Sequence, residues 1–97
     1  MAKGYWIAHA TVTDTDAWGR YVEGARPAFE AHGARFLARG GQAQEMEDAQ
    51  GRARHVVIEF PSLDAARACW QSEIYQAARK HREGAGIVTI TLVEGLG

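Results

Sequence analysis

Residues 54–71 read RHVVIEFPSLDAARACWQ: a strand, a stop and a helix in succession. Arg54 to Phe60 is rich in β-branched and aromatic residues, which suit a pleated, half-buried surface. Pro61 lacks the amide proton that a continuing ladder needs, so the strand ends there. Ser62 is placed to cap the helix that follows, and Asp64 puts negative charge into its first turn. Leu63, Ala66 and Trp70 recur at spacings of three and four, the buried stripe of an amphipathic helix. Ser72-Glu73 reads as a second cap, which predicts a break before Ile74, Ala77, Ala78 and His81 continue as another helical segment.

Toward the N-terminus, Gly4 to Thr13 (GYWIAHATVT) is a strand bounded by Gly and Asp. Asp14 caps a long helix, and Trp18, Tyr21, Val22, Ala25, Phe29 and His32 make one face of it. Arg20, Glu23 and Glu30 lie on the other face, and Gly33 ends the helix. Pro27 removes one hydrogen bond inside it and predicts a kink. Ala34 to Arg39 is a short strand closed by Gly40-Gly41. Gln42 to Glu47 is read as a further strand or edge extension, and Asp48-Ala49-Gln50-Gly51 as a hairpin turn. After Gly84 and Gly86, Ile87 to Val93 (IVTITLV) is the last strand. The order β-α-β-β-α-β predicts one α+β domain over residues 1–97, a ferredoxin-like sandwich. Its four-stranded, mainly antiparallel sheet carries helices on one face. A small parallel α/β sheet is the alternative, and the hairpin signal between Gly40 and Arg54 argues against it.

Composition narrows the function classes. The chain has 97 residues, 46% of them hydrophobic, and a formal net charge of −1 with both signs mixed throughout. No basic stripe suggests nucleic acid, and no run approaches the roughly 20 apolar residues of a membrane span. No signal peptide fits the first residues. Cys69 is the single cysteine, so no internal disulfide forms, which fits a reducing cytoplasm.

Alternation along the strands divides the sheet into two faces. Trp6, Ala8, Ala10, Val12, Phe36, Ala38, Val56, Ile58, Phe60, Val88, Ile90 and Leu92 form an uncharged face that belongs under the helices. Tyr5, Ile7, His9, Thr11, Leu37, Arg39, Val57, Glu59, Ile87, Thr89, Thr91 and Val93 form the other. That second face is too apolar to stand in open water. Exposed apolar patches larger than a few hundred Å² usually mark interfaces, so a homodimer with sheets face to face is expected.

Three segments together resemble a known family: GYWIAH at the N-terminus, RYVEGARPAFEAHGARFLARGG from Arg20 to Gly41, and VIEFPSLDAARACWQSEIYQAARKHR from Val57 to Arg82. They are similar to family 1330 of the domains of unknown function, within the dimeric α+β-barrel superfamily. The resemblance implies a ferredoxin-like protomer and a dimer whose two sheets form a barrel. It implies no established activity. The wider superfamily includes cofactor-independent monooxygenases, haem-degrading enzymes, lactone isomerases and plain ligand binders. Thr15 and Glu73 depart from the proline expected at helix starts.

For chemistry, Arg39 and Glu59 stand out as charges on strands bound for burial. By alternation they share a face. They either pair with each other, as a structural ion pair, or leave Arg39 to meet a carboxylate ligand, with Glu59 as a catalytic candidate. His9, near the same face, is the second catalytic candidate, as a general base near neutral pH; a plain hydrogen-bonded role is the competing reading. Tyr75 and Arg82 lie two helical turns apart and are candidates for the mouth of a ligand pocket between helix and sheet; the competing reading of Tyr75 is core packing with its hydroxyl at the rim. Trp6 and Tyr21, with Trp18 and Trp70, are candidates for its apolar lining, although such aromatics equally serve a core. No metal site is expected, because the histidines are scattered and no paired spacing occurs. No organic cofactor is expected either. Ser62 and Ser72 are caps, and Cys69 has no predicted activating partner. Two function classes follow. One is a cofactor-independent enzyme or binder for a small aromatic or carboxylate metabolite. The other is a structural or interaction protein in which charged residues fix the dimer register.

Overall fold

The computed structural model describes residues 2–47 and 50–97. Strand β1 (Gly4–Val12) runs into helix α1 (Thr15–Ala31), then β2 (Arg35–Arg39) and β3 (Arg54–Phe60). Helices α2 (Leu63–Gln71) and α3 (Glu73–Arg79) follow, then a 3-10 turn (Lys80–Arg82) and β4 (Gly86–Glu94). The sheet order is β2-β3-β1-β4, with every neighbouring pair antiparallel. This is the split β-α-β plan expected from the element order.

Side-chain caps set the helix starts. Asp14 accepts from the Ala17 amide at 3.1 Å, Ser62 from Ala65 at 3.0 Å, and Ser72 from Tyr75 at 3.2 Å. Each satisfies one of the amides that a first turn leaves without a partner. Pro27 sits inside α1 on the exposed side without ending it. The Ser72 cap does more than interrupt. It restarts the helix in a new phase, so α3 buries Tyr75 and Ala78, while Ile74 and Ala77 face outward. The helical segment expected after the Ser72-Glu73 break is present, and of the residues named for it Ala78 is buried. In α2 the buried residues are Ala66 and Cys69.

The core lies between the helices and the inner sheet face. Trp6, Ile58 and Phe60 from the sheet meet Ala25, Ala28, Ala66, Cys69, Tyr75 and Ala78 from the helices. Trp6 is the hub. Its ring meets Tyr75, Phe29, Phe60 and Trp70 at centroid distances of 5.0, 5.3, 5.6 and 6.0 Å. Its Nε1 donates to the Ala66 carbonyl at 2.9 Å, which ties β1 to α2. Small residues on the helices let α1, α2 and α3 approach these rings closely.

At the exit of β2, Gly40 has φ of 66°, and a Cβ there would lie 2.5 Å from Arg54 Nη1. Glycine is thus needed for the backbone turn and for the space that the Arg54 side chain takes. Residues 41–46 form no strand, so the edge extension expected over Gln42 to Glu47 is absent. That segment is polar and exposed, with no apolar alternation to hold it against the sheet. Of the expected turn, Asp48 and Ala49 lie outside the described residues. No helix among the described residues is long and apolar enough to cross a membrane.

Candidate functional site

A cavity of about 310 Å³ opens between α1 and the inner face of the sheet. Trp6, Ala8 and Ala10 on β1, Val56 and Ile58 on β3, and Val88 and Ile90 on β4 form its floor. The alanines at 8 and 10 matter, because larger residues at the centre of the sheet would fill the space. Trp18, Tyr21, Val22, Ala25 and Phe29 on α1 form the facing wall. Phe36 on the edge strand β2 closes one side. Apolar and aromatic walls with a few polar groups are the usual make-up of a small-molecule site.

Arg26, Glu30, Arg39 and Arg54 supply the charge along the lining. Arg26 is paired with Glu23 at 2.8 Å. Neither Arg39 nor Arg54 has a carboxylate within 4.0 Å among the described residues. The ion pairs found there are Arg26–Glu23 and Arg67–Asp64. Arg39 lies over the Phe36 ring, 4.4 Å from its centroid, which holds the guanidinium at the cavity edge. Arg54 is half-buried, and its Nε is buried without a hydrogen-bond partner among the described residues. Trp18 Nε1 is likewise buried and unpartnered among the described residues. Buried donors are seldom left unpaired, so each of these two lining residues carries an unmet hydrogen bond.

A β-bulge explains how Arg39 reaches the cavity. Phe36 pairs with Ile58, but Ala38 pairs with Val57 and Arg39 with Val56. The extra residue at Leu37 reverses the alternation. Ala38 moves to the outer face and Arg39 to the inner one. The expectation that Arg39 and Glu59 share a face is therefore overturned. Glu59 stays outside and accepts a hydrogen bond from the Tyr5 hydroxyl at 3.1 Å, a bond that raises the Tyr5 pKa.

His9 also lies on the outer face, opposite His55 in the β1–β3 register. Their Nδ1 atoms are 2.8 Å apart, so one ring donates to the other. Neither His9 nor Glu59 lines the cavity. Trp6, Tyr21 and Arg39 do. Tyr75 and Arg82 lie behind Tyr21. The Tyr75 hydroxyl is 2.8 Å from that of Tyr21, and Arg82 Nη2 donates to Tyr75 at 3.3 Å. The Arg82 guanidinium also lies 5.0 Å from the centre of the Tyr21 ring. Burial, and then the neighbouring Tyr75 hydroxyl, push the Tyr21 phenol above its ordinary pKa. Burial alone would lower the Arg82 pKa, but its bond to Tyr75 and the nearness of both tyrosines leave it raised.

Sequence reasoning passes over Arg54 as a site residue. Stepping back by two from Val56 along β3 places it on the inner face, and that alternation is the available signal. Trp70 packs in the core against Trp6 and Tyr75 and is not part of the lining. Cys69 is fully buried, and burial pushes its thiol up to about 12, so it is no nucleophile at neutral pH. No group of three or more histidine, cysteine or carboxylate side chains among the described residues is placed to hold a metal.

The model of a protein family described as Domain of unknown function (DUF1330) matches residues 3–96. No curated protein matches the sequence. Solved structures share the fold. A protein of unknown function from Rhodopseudomonas palustris is 18% identical with a TM-score of 0.78, covering 99% of this chain and 84% of its own. SnoaB from Streptomyces nogalater, described as a cofactor-independent oxygenase, is 11% identical with a TM-score of 0.64, covering 100% and 96%. A protein from Jannaschia sp. CCS1, described as dimeric, ferredoxin-like and of unknown function, is 12% identical with a TM-score of 0.65, covering 94% and 97%. At these identities the likeness is one of fold.

Proposed function

The chain belongs to the family described as Domain of unknown function (DUF1330), and from that premise we propose that it is a homodimeric, cofactor-independent small-molecule binder or enzyme. Its ligand is an aromatic or carboxylated metabolite held between α1 and the sheet. The observation that carries this reading is the cavity: aromatic walls, with two guanidinium groups at its edge that lack carboxylate partners among the described residues. Its volume of about 310 Å³ is at the small end for ligand sites, which fits a compact metabolite. An anionic group would meet Arg39 and Arg54, because arginine's planar fork matches a carboxylate. The absence of a cofactor from this proposal takes its support from a structural neighbour described as a cofactor-independent oxygenase.

The homodimer is supported by the outer sheet face and by neighbours described as dimeric. Leu37, Ile87 and Val93 are 49%, 54% and 45% exposed, close to half-buried Ile7 and Val57 on the same side. A second copy laid on this face would cover them. The His9–His55 and Tyr5–Glu59 pairs would then lie in the interface, with their polar atoms already partnered. Native mass spectrometry of gently purified protein, incubated with 2-naphthoate, tests both parts. A dimer that takes up one naphthoate per protomer is expected. A monomer would overturn the dimer, and a dimer that takes up no naphthoate and carries no other small molecule would overturn the ligand site.

A further inference from the structure

Tyr21 on the α1 wall and the two polar side chains behind it have a fixed hydrogen-bond order. Tyr75 is fully buried, and Arg82 Nη2 donates to its oxygen at 3.3 Å. A guanidinium has donors and no acceptor, so the Tyr75 oxygen accepts in that bond. The Tyr75 proton must then go elsewhere, because buried hydroxyls in native proteins are paired. The Tyr21 oxygen, 2.8 Å away, is the acceptor beside it. In the reverse arrangement, Tyr21 would donate to Tyr75. The Tyr75 oxygen would then have two donors, and its own proton would be buried with no acceptor among the described residues. Arg82 also bonds the Tyr21 hydroxyl, and as it can only donate, the Tyr21 oxygen accepts from both Tyr75 and Arg82. This leaves the Tyr21 proton uncommitted, on a residue that lines the cavity.

We propose that Tyr21 is the cavity's directed hydrogen-bond donor, held in that role by Tyr75 and Arg82, and that it recognises a carbonyl or phenolate oxygen of the bound molecule. The inference rests on the reading of the cavity as a ligand site. It also narrows the ligand to one with two oxygen functions. An anionic group meets Arg39 and Arg54 at the sheet edge, and a carbonyl or phenolate oxygen meets Tyr21 on the helix wall. The Arg82 guanidinium beside both hydroxyls strengthens Tyr21 as a donor, and such a donor favours an acceptor bearing negative charge. The raised Tyr21 pKa acts in the same direction, since the phenol stays protonated and able to donate. No covalent bond changes in this recognition. The same contact would steady negative charge developing on an enolate oxygen, should the bound molecule react.

The test uses 6-hydroxy-2-naphthoate, which carries a carboxylate and a naphthol and whose absorbance reports naphthol ionisation. Its hydroxyl-free relative, 2-naphthoate, is the control. Binding to the unmodified dimer is expected to lower the naphthol ionisation midpoint by about one pH unit, a tenfold preference for the naphtholate such as a charge-assisted hydrogen bond gives. Tyr21→Phe should abolish that shift and remove the preference for 6-hydroxy-2-naphthoate over 2-naphthoate, because the ring remains and only the donor is lost. Tyr75→Phe should shrink the shift while leaving Tyr21 in place, a result that a merely structural tyrosine would not give. If the bound naphthol ionises at the same pH in the unmodified protein and in Tyr21→Phe, the donor role is wrong and the cavity reading stands. If neither naphthoate binds the unmodified protein, the cavity reading fails and the donor role fails with it.

Discussion

Trp6→Ala is expected to destabilise the fold by about 3–5 kcal/mol, measured as a lowered midpoint in urea or guanidinium unfolding. Trp6 is 1% exposed and meets four aromatic rings from β3 and all three helices. Removing it opens a void that alanines on the facing helices are too small to fill. It also removes the Nε1 bond to the Ala66 carbonyl, the one polar tie between β1 and α2 through this side chain. A small domain has about 5–15 kcal/mol of stability in all, so the variant should be partly unfolded at 37 °C. Trp6→Phe separates the two contributions. It keeps a ring in place and gives up the hydrogen bond, so a much smaller loss, about 1–2 kcal/mol, is expected. Equal losses from both substitutions would mean that the hydrogen bond, and not the packing, holds β1 to the helices.

The second large effect is on binding. The double substitution Arg39→Ala with Arg54→Ala should weaken 2-naphthoate binding by at least roughly 100-fold, since hydrogen bonds to charged groups contribute about 1.5–3 kcal/mol each. The unfolding midpoint should hardly move, because neither guanidinium has a carboxylate partner to strand among the described residues. Affinity in the unmodified protein should also fall as salt is raised, because Arg39 is exposed and its charge is screened. A structural role for the two arginines gives the opposite pattern: a lowered unfolding midpoint with naphthoate binding unchanged.

Much of the fold is written locally, and for that reason it can be read from the sequence. Asp14, Ser62 and Ser72 are caps whose chemistry does not depend on the rest of the molecule. Pro61 ends β3 through its own missing amide. The uncharged face of β1, β3 and β4 follows from strict alternation, and the cavity floor is drawn from it. What is illegible depends on register and phase. The bulge at Leu37 inserts one residue against β3, and nothing in Arg35 to Arg39 announces it. One slipped position carries Arg39 from the outer face, where alternation puts it beside Glu59, to the edge of the cavity. The Ser72 break itself is visible in the sequence, but the phase it sets, with Tyr75 and Ala78 turned inward and Ile74 outward, is not. Within the candidate site, Trp6, Tyr21 and Arg39 stand out by residue type and do line the cavity. His9 and Glu59 stand out on the same basis and lie on the opposite face, since residue type alone does not reveal which side of a sheet holds the open space.

Backbone amide chemical shifts, followed by NMR while 2-naphthoate is added, test most directly whether the space under α1 is a ligand site. The expected changes fall on Trp18 to Phe29 of α1, on Phe36 to Arg39 around the bulge, and on Arg54 to Ile58 of β3, with the amides of α2 unaffected. Changes centred on Ile74 of α3 or on the tail after Glu94, or no changes at concentrations that saturate the protein's other observables, would contradict it.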